Sequence, residues 1–248
     1  MSGNISVQFL GGAGYLIRYD GRVALLDAYL TDSCREKGTD RFKRLIPPPI
    51  NPNDLHPDLI LSSHEHGDHF DVGCVPRWMN DNKKALLLGP VSVQKAAADQ
   101  KIEASRVVCI RESETVPIAG LSVRATYCNH GDDSPEAVGL LIDVFDKRLF
   151  FVGDCRYTDD WYKLVGDLGE VDFMMVPING AYGNPDAVQA AKMVKAVRPT
   201  IASPCHYWLF KEHGGDPAEF EKSCEDMGIA SLIKFLAVGE SLQLSTQI

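Results

Sequence analysis

The sequence has no apolar run that approaches the ~20 residues needed to span a bilayer. Its first residues, 1–4, also lack the basic and apolar regions of a secretory signal peptide. We therefore expect a soluble, cytoplasmic protein that does not associate with membranes. The seven cysteines are odd in number and show no CxxC spacing, which favours reduced thiols over a disulfide framework.

Positive charge is also scarce, since 25 lysines and arginines stand against 34 aspartates and glutamates, for a formal net charge of −9. Because affinity for nucleic acids rests on basic side chains that neutralise phosphates, this balance argues against a nucleic-acid partner. One basic cluster precedes the triple proline at 47–49 and contains Arg35, Lys37, Arg41, Lys43 and Arg44. Segment 35–44 fits either a solvated loop, the usual form of a charge cluster, or a lid that attracts an anionic small molecule.

No low-complexity tract, tandem repeat or long Pro/Gly/Ser-rich linker divides the 248 residues. We therefore predict a single domain, 1–248, and leave open whether it forms a homo-oligomer. Each half begins with strands and continues as an alternation of strands and helices. This order predicts two similar sheets covered by helices, in the α/β class.

The predicted elements follow from turn signals and apolar periodicity. In the first half, strands 15–19 and 22–26 form a hairpin around Asp20-Gly21, a strong type I′ turn signal. In the second half, strands 138–145 and 148–152 turn at Asp146-Lys147. The other predicted strands are 59–62, 85–88, 121–126, 173–176 and 200–202, and the predicted helices are 72–80, 91–99, 160–168, 186–197 and 217–227.

Three histidines and an aspartate fall within a short motif, His64-Glu65-His66-Gly67-Asp68-His69. The motif directly follows an apolar run, and His64 and His66 are two apart, so on an extended segment both side chains point to the same side. Imidazole and carboxylate ligands suit zinc, manganese or iron, and such a cation lowers the pKa of bound water to roughly 7. The motif therefore predicts a metal site with hydrolytic chemistry.

A site for two metals needs more ligands than this motif supplies. Three candidates, His130, Asp154 and His206, each stand shortly after an apolar strand. Each would be weak evidence by itself. Because all three recur at strand ends, we expect them to join the motif in one site.

The HxHxDH motif, followed in order by His130, Gly153-Asp154 and His206, resembles that of the metallo-β-lactamase superfamily over essentially the whole chain. The resemblance implies a four-layered αββα sandwich with the metals at one edge, between the sheets. It also implies two divalent metal ions per chain, manganese or zinc, with iron as a third option. One ion would be bound by His64, His66 and His130, the other by Asp68, His69 and His206, and both would be bridged by Asp154 and a hydroxide.

Two carboxylates have further expected roles at this site. Asp68 would be the catalytic residue, because it can orient the hydroxide and then help to return a proton to the leaving oxygen. Asp27 ends its strand, and we expect it to fix the tautomer of a ligand histidine. A plain strand-end turn explains Asp27 almost as well.

A narrower resemblance lies in segments 153–157, 179–185 and 203–208, which are similar to the L-ascorbate-6-phosphate lactonase-like branch. This resemblance implies a manganese-dependent enzyme that opens a phosphorylated sugar lactone. We therefore expect a hydrolase that opens a lactone or cleaves an ester of a small anionic molecule, such as a phosphorylated sugar.

Four residues are candidate substrate contacts. Tyr182 and Asn184 lie in a Gly-flanked loop that can present a hydroxyl and an amide to a polar ligand. Arg156 and Lys211 lie near ligands in the sequence and are candidate phosphate clamps. A simple turn explains the loop about as well, and solvent-facing ion pairs are the default for the two basic residues.

A phosphodiesterase is the main alternative, because the same metal pair suits in-line displacement at phosphorus. A flavo-diiron redox protein resembles HxExDH, whereas His66 occupies the third position here and Glu65 is expected to point to the opposite face. A mononuclear iron dioxygenase stays open until the metals per chain are counted. Every ligand position is filled, which argues against a non-enzymatic binding protein on the same scaffold.

Overall fold

The strands form two sheets in the computed structural model, which describes residues 4–246. The strands are β1 (Asn4–Gly11), β2 (Gly14–Tyr19), β3 (Arg22–Leu26), β4 (Leu59–Leu61), β5 (Leu86–Gly89), β6 (Val107–Cys109), β7 (Thr115–Ile118), β8 (Leu121–Thr126), β9 (Gly139–Val144), β10 (Lys147–Phe151), β11 (Phe173–Pro177), β12 (Ile201–Cys205) and β13 (Ser241–Ser245). The helices are α1 (Val75–Asp81), α2 (Val91–Asp99), α3 (Trp161–Val165), α4 (Ala187–Val197) and α5 (Pro217–Asp226). Within residues 4–246, none of the helices is long and apolar enough to cross a membrane.

The strand order is β13-β1-β2-β3-β4-β5-β6 in the first sheet and β12-β11-β10-β9-β8-β7 in the second. Strands β3 to β6 pair in parallel, as do β10 to β12, and the other pairs are antiparallel. Each sheet therefore begins with antiparallel hairpins and continues with parallel strands, which is the order predicted for each half of the sequence.

The two sheets pack face to face, and helices cover their outer faces. In β10, Leu149 and Phe151 pack between the sheets, whereas Phe150 packs against the outer helices. Because successive strand residues point to opposite faces, this strand is buried on both sides. Helices α3, α4 and α5 cover the second sheet, and α1 and α2 cover the first. The predicted αββα sandwich of the α/β class is confirmed.

Some elements differ from the prediction. Strands β1, β6, β7 and β13 were not predicted, and β13 pairs with β1, which lies at the opposite end of the chain. The second hairpin turns one residue early, because Phe145 adopts a left-handed conformation with φ 54° and β10 already begins at Lys147. Helix α1 begins only at Val75, where the following Pro76 suits the first helical turn.

One edge of the sandwich collects the ends of five strands. Strands β3, β4, β8, β10 and β12 are followed there by Asp27, the motif 64–69, His130, Asp154 and His206. Strands β8 and β10 run in the same direction because each pairs antiparallel with β9 between them. The sheet topology therefore brings segments that are distant in the sequence to a common site.

Candidate metal centre

The first cluster consists of His64, His66 and His130. His64 Nε2 and His66 Nδ1 lie 3.0 Å apart, and His130 Nε2 lies 3.2 Å from His66 Nδ1. Burial lowers the pKa of His64 and of His130, so both imidazoles are neutral and keep a lone pair for a cation. Glu65 points away from the cluster and accepts a hydrogen bond of 2.8 Å from Ser134 Oγ.

The second cluster consists of Asp68, His69 and His206. His69 Nε2 and His206 Nε2 lie 3.0 Å apart, and Asp68 Oδ2 lies 3.7 Å and 3.5 Å from these two atoms, respectively. Burial opposes charge on Asp68, but His69 and His206 outweigh it and hold the carboxyl pKa below its usual range. Burial likewise opposes protonation of His206, but the nearby carboxylates raise its pKa to about 9. A cation bound at this cluster would take the place of the protons.

Asp154 lies between the two clusters. Its Oδ2 atom is 3.2 Å from His206 Nε2, 3.5 Å from His69 Nε2 and 3.9 Å from His130 Nε2. Burial would raise the pKa of Asp154, but His206 and His69 hold it well below the usual range. Because Asp154 follows β10 directly, one buried carboxylate reaches both clusters from the middle of the second sheet.

Asp27 supports His69 from behind. Its Oδ2 atom lies 2.6 Å from His69 Nδ1, and its carboxylate also accepts hydrogen bonds from the backbone N–H and the hydroxyl of Ser63. The carboxylate selects the tautomer of His69 with the proton on Nδ1, which leaves the Nε2 lone pair facing the second cluster. Asp27 therefore makes more than a strand-end turn.

His213 also lies at the second cluster, although the sequence analysis assigned no role to it. Its Nε2 atom is 3.7 Å from Asp68 Oδ2, and its ring centroid is 4.5 Å from that of His206. Burial and the neighbouring His206 lower the pKa of His213 to about 3, so its imidazole is neutral. No strand end precedes His213 directly, so the criterion that found the other histidines does not apply. Its sequence signal is that it stands seven residues after a proposed ligand.

The donor set is suited to binding divalent cations. Groups of imidazole and carboxylate atoms within 4.8 Å of one another occur in both clusters, and one such group joins Asp68, His206 and His213. In the described chain, Asp154 Oδ1 is buried without a hydrogen-bond partner. So many converging polar groups are costly to bury unless cations lie among them. Neutral imidazole and carboxylate are ligands that zinc, manganese and iron accept.

A cavity of about 250 Å³ opens onto both clusters. Asp68 and Asp154 form part of its floor, and Phe42, Tyr182 and Phe210 form part of its wall. Tyr182, a predicted substrate contact, is 56% exposed and lies at the mouth. The size of the cavity suits a small molecule.

The other three predicted substrate contacts do not line this cavity. Asn184 is buried and donates its amide Nδ2 to Asp154 Oδ2 over 2.7 Å. Arg156 lines an adjacent cavity and lies against Gly183, and Lys211 is exposed at the surface. Closeness to a ligand in the sequence does not set the direction of a side chain in a loop, so a substrate-binding role for these three residues stays a prediction.

Segment 35–44 pairs some of its basic side chains with its own two carboxylates. Arg35 pairs with Asp40 at 2.9 Å, and Arg41 pairs with Glu36 at 2.8 Å. These pairs are exposed, as in the solvated-loop interpretation. The segment nevertheless reaches the cavity through Phe42, so an aromatic ring and not a basic group faces the site.

The chain is similar to known proteins over most of its length. Residues 22–207 match the family model described as the beta-lactamase superfamily domain. The chain is 30% identical over 250 residues to a protein of Aeropyrum pernix named UPF0173 metal-dependent hydrolase, with 96% of each chain covered.

Solved structures share the fold. A metallo hydrolase from the hyperthermophilic archaeon Ignicoccus hospitalis superimposes with a TM-score of 0.76 at 20% identity, with 98% of this chain and 100% of that chain covered. An isothiocyanate hydrolase from Delia radicum gut bacteria superimposes with a TM-score of 0.76 at 18% identity, with 97% and 99% of the two chains covered.

Proposed function

The chain belongs to the beta-lactamase superfamily, and from this premise we propose that it is a binuclear metal-dependent hydrolase that opens a lactone or cleaves a carboxylic ester of a small molecule. The observation that carries the proposal is the position of Asp154, whose Oδ2 atom lies within 3.9 Å of histidines from both clusters at the floor of a cavity. The Aeropyrum pernix relative, which is named a metal-dependent hydrolase, supports the reaction class.

The two clusters would each hold one cation, and Asp154 would contact both. The first cluster would supply three imidazoles, from His64, His66 and His130. The second would supply Asp68, His69 and His206, and His213 would add a further imidazole there.

Two divalent cations, when bound, acidify a water molecule and polarise the scissile carbonyl oxygen. The protein's own groups then position that water and move its proton. Asp68 lines the cavity and keeps its carboxylate ionised, so it can accept a hydrogen bond from the water and orient it. The same carboxylate can carry a proton to the leaving oxygen. Asp27 holds His69 in the tautomer that ligation requires.

The test is proton release from a panel of lactones, carboxylic esters and bis(p-nitrophenyl) phosphate, with protein reconstituted separately with manganese and zinc. We expect lactones or esters to be turned over by protein that holds two metals per chain. Turnover of the phosphodiester alone would reject a lactone or ester hydrolase and show that the protein is a phosphodiesterase. One metal per chain with oxygen consumption would instead favour a mononuclear dioxygenase, and two metals without any turnover would favour a binding protein.

A further inference from the structure

An aromatic wall forms part of the lining of the cavity and lies next to His213. It consists of Phe42, Tyr182 and Phe210. The ring centroids of Phe42 and Phe210 are 5.7 Å apart in an edge-on arrangement, and those of Phe42 and Tyr182 are 6.3 Å apart. The three residues come from three separate loops, so the wall exists only in the folded chain. Aromatic faces of this kind bind flat or apolar groups.

Basic side chains are absent from the described lining of the same cavity. Within the described part of the chain, neither lysine nor arginine is among the residues that line it, and Asp133 adds a carboxylate. Beside the wall, Arg41 lies with its guanidinium 5.2 Å from the centre of the Phe42 ring and is paired with Glu36. A phosphate or carboxylate on the distal part of a substrate would therefore lose hydration here without gaining a protein cation.

The backbone of Tyr182 is held in an uncommon conformation. Its φ is 55°, in the left-handed region that bulky residues rarely adopt. The loop around it is tied down, because Asn184 N donates to Ala181 O over 3.0 Å and the Asn184 side chain is bound to Asp154. Strained residues persist where the surrounding structure determines them, often at ligand sites. The loop therefore holds the backbone of Tyr182 in place beside the cavity.

We propose that the group attached to the reacting carbonyl, on the acyl side of the substrate, is neutral and apolar. An aryl group fits best, and it packs against Phe42 and Tyr182. This inference rests on the proposed hydrolase function and names the substrate class of that site. It departs from the anionic, phosphorylated sugar that the sequence suggested, because Arg156 and Lys211 lie outside the cavity. The cations would bind the reacting carbonyl, and the aromatic wall would select the group attached to it.

The experiment uses manganese-loaded protein and two esters with the same leaving group, p-nitrophenyl phenylacetate and p-nitrophenyl hydrogen succinate. We expect kcat/KM to be about tenfold higher or more for the phenylacetate, a ratio that apolar pocket contacts can supply. Phe42→Ala and Tyr182→Asn should each bring this ratio down, through KM for the phenylacetate. Asparagine is chosen at position 182 because it tolerates the positive φ.

Matched controls separate the wall from general surface effects. Tyr162→Ala removes another exposed tyrosine, on α3, and should leave the ratio unchanged. Lys211→Ala should also leave it unchanged. An equal or greater kcat/KM for the succinate, or a selective loss of succinate turnover in Lys211→Ala, would overturn the inference and restore the anionic substrate.

A binding measurement keeps the two proposals distinguishable. Calorimetry with the corresponding amides, phenylacetamide and succinamate, reports selection without turnover. Preferential binding of phenylacetamide, lost in Phe42→Ala, supports the inference even if no ester is hydrolysed, and that combination would reject the proposed function alone. Preferential binding of succinamate would reject the inference whatever the turnover.

Discussion

Asn184 donates its side-chain amide to Asp154, with 2.7 Å between Nδ2 and Oδ2, and both residues are buried. The accepting oxygen is the one that lies between the two histidine clusters. Because the amide fixes the orientation of this carboxylate, the loop that carries Asn184 supports the proposed metal centre from the side. The same loop carries Tyr182 into the cavity wall, so it connects the ligands to the substrate-facing surface.

Asn184→Ala should weaken metal binding and lower kcat, with little change in KM. Residues that orient metal ligands typically contribute about 10- to 100-fold to metal affinity or activity. Competition with a chromophoric chelator measures the affinity, and steady-state kinetics separates kcat from KM. A raised KM with full metal content would show that Asn184 contacts the substrate after all.

Asp154→Ala should lower both the metal content and the rate, because it removes the one carboxylate that reaches both clusters. We expect fewer than two metals per chain by elemental analysis and a loss of activity of at least about 100-fold. Asp154→Asn keeps the shape but removes the charge, so its metal content and activity should lie between those of the unmodified protein and the alanine variant. If the alanine variant keeps its metals and its activity, the ligand assignment is wrong.

Asp27→Asn should weaken metal binding at the second cluster. The Asp27 carboxylate accepts hydrogen bonds from His69 and from two groups of Ser63, and an amide with one oxygen cannot satisfy them all. A buried donor left without a partner costs about 1–3 kcal/mol, which urea unfolding of the metal-free protein would show. Asp99→Asn, at an exposed position on α2, is the matched control. Equal stability and affinity in both variants would argue that Asp27 is only a turn residue.

The two histidines outside the predicted ligand set should behave differently. His213→Ala removes a buried imidazole that faces Asp68, so we expect the second metal to bind at least about tenfold more weakly. His56→Ala changes an exposed side chain on the loop before β4 and should have little effect. Titration with manganese, followed by counting bound metal, compares them directly. A large loss in the His56 variant would contradict the proposed site.

Chelation of the metals should lower Tm and cause proton uptake at pH 7.5. Ligands that bind the native state stabilise it, so their removal destabilises the fold. Without a cation, burial opposes protonation of His206 but the carboxylates prevail and raise its pKa to about 9, and that of His69 also rises. We therefore expect net proton uptake by the protein at pH 7.5.

The proton uptake is measured with an indicator dye in weak buffer, after subtraction of the chelator's own exchange with free metal. Well above pH 9 the uptake by His206 should vanish, because its imidazole is then neutral with or without the cation. Proton release by the protein at pH 7.5 would contradict this account of the second cluster.

The architecture and most of the candidate ligands could be predicted from the amino-acid sequence. Strands 15–19 and 22–26 were predicted at almost their observed bounds, because the Asp20-Gly21 turn and the apolar runs are local signals. The resemblance to the superfamily motif predicted His64, His66 and His130 as one group, and the position of each near a strand end agrees with it. Local period and turn chemistry carry this information, and they survive folding unchanged.

Which loop side chains face the site could be read only from the folded chain. His213 and Asp68 lie close together although they are far apart in the sequence. His213 does not follow a strand end, which was the signal that identified the other histidines. Phe42 and Phe210 form one wall although they come from opposite halves of the chain. The sequence left segment 35–44 open between a solvated loop and a lid. In the structure Arg35 and Arg41 form exposed ion pairs within the segment, and Phe42 lines the cavity. Side-chain direction in a loop depends on long-range packing, and no local pattern records it.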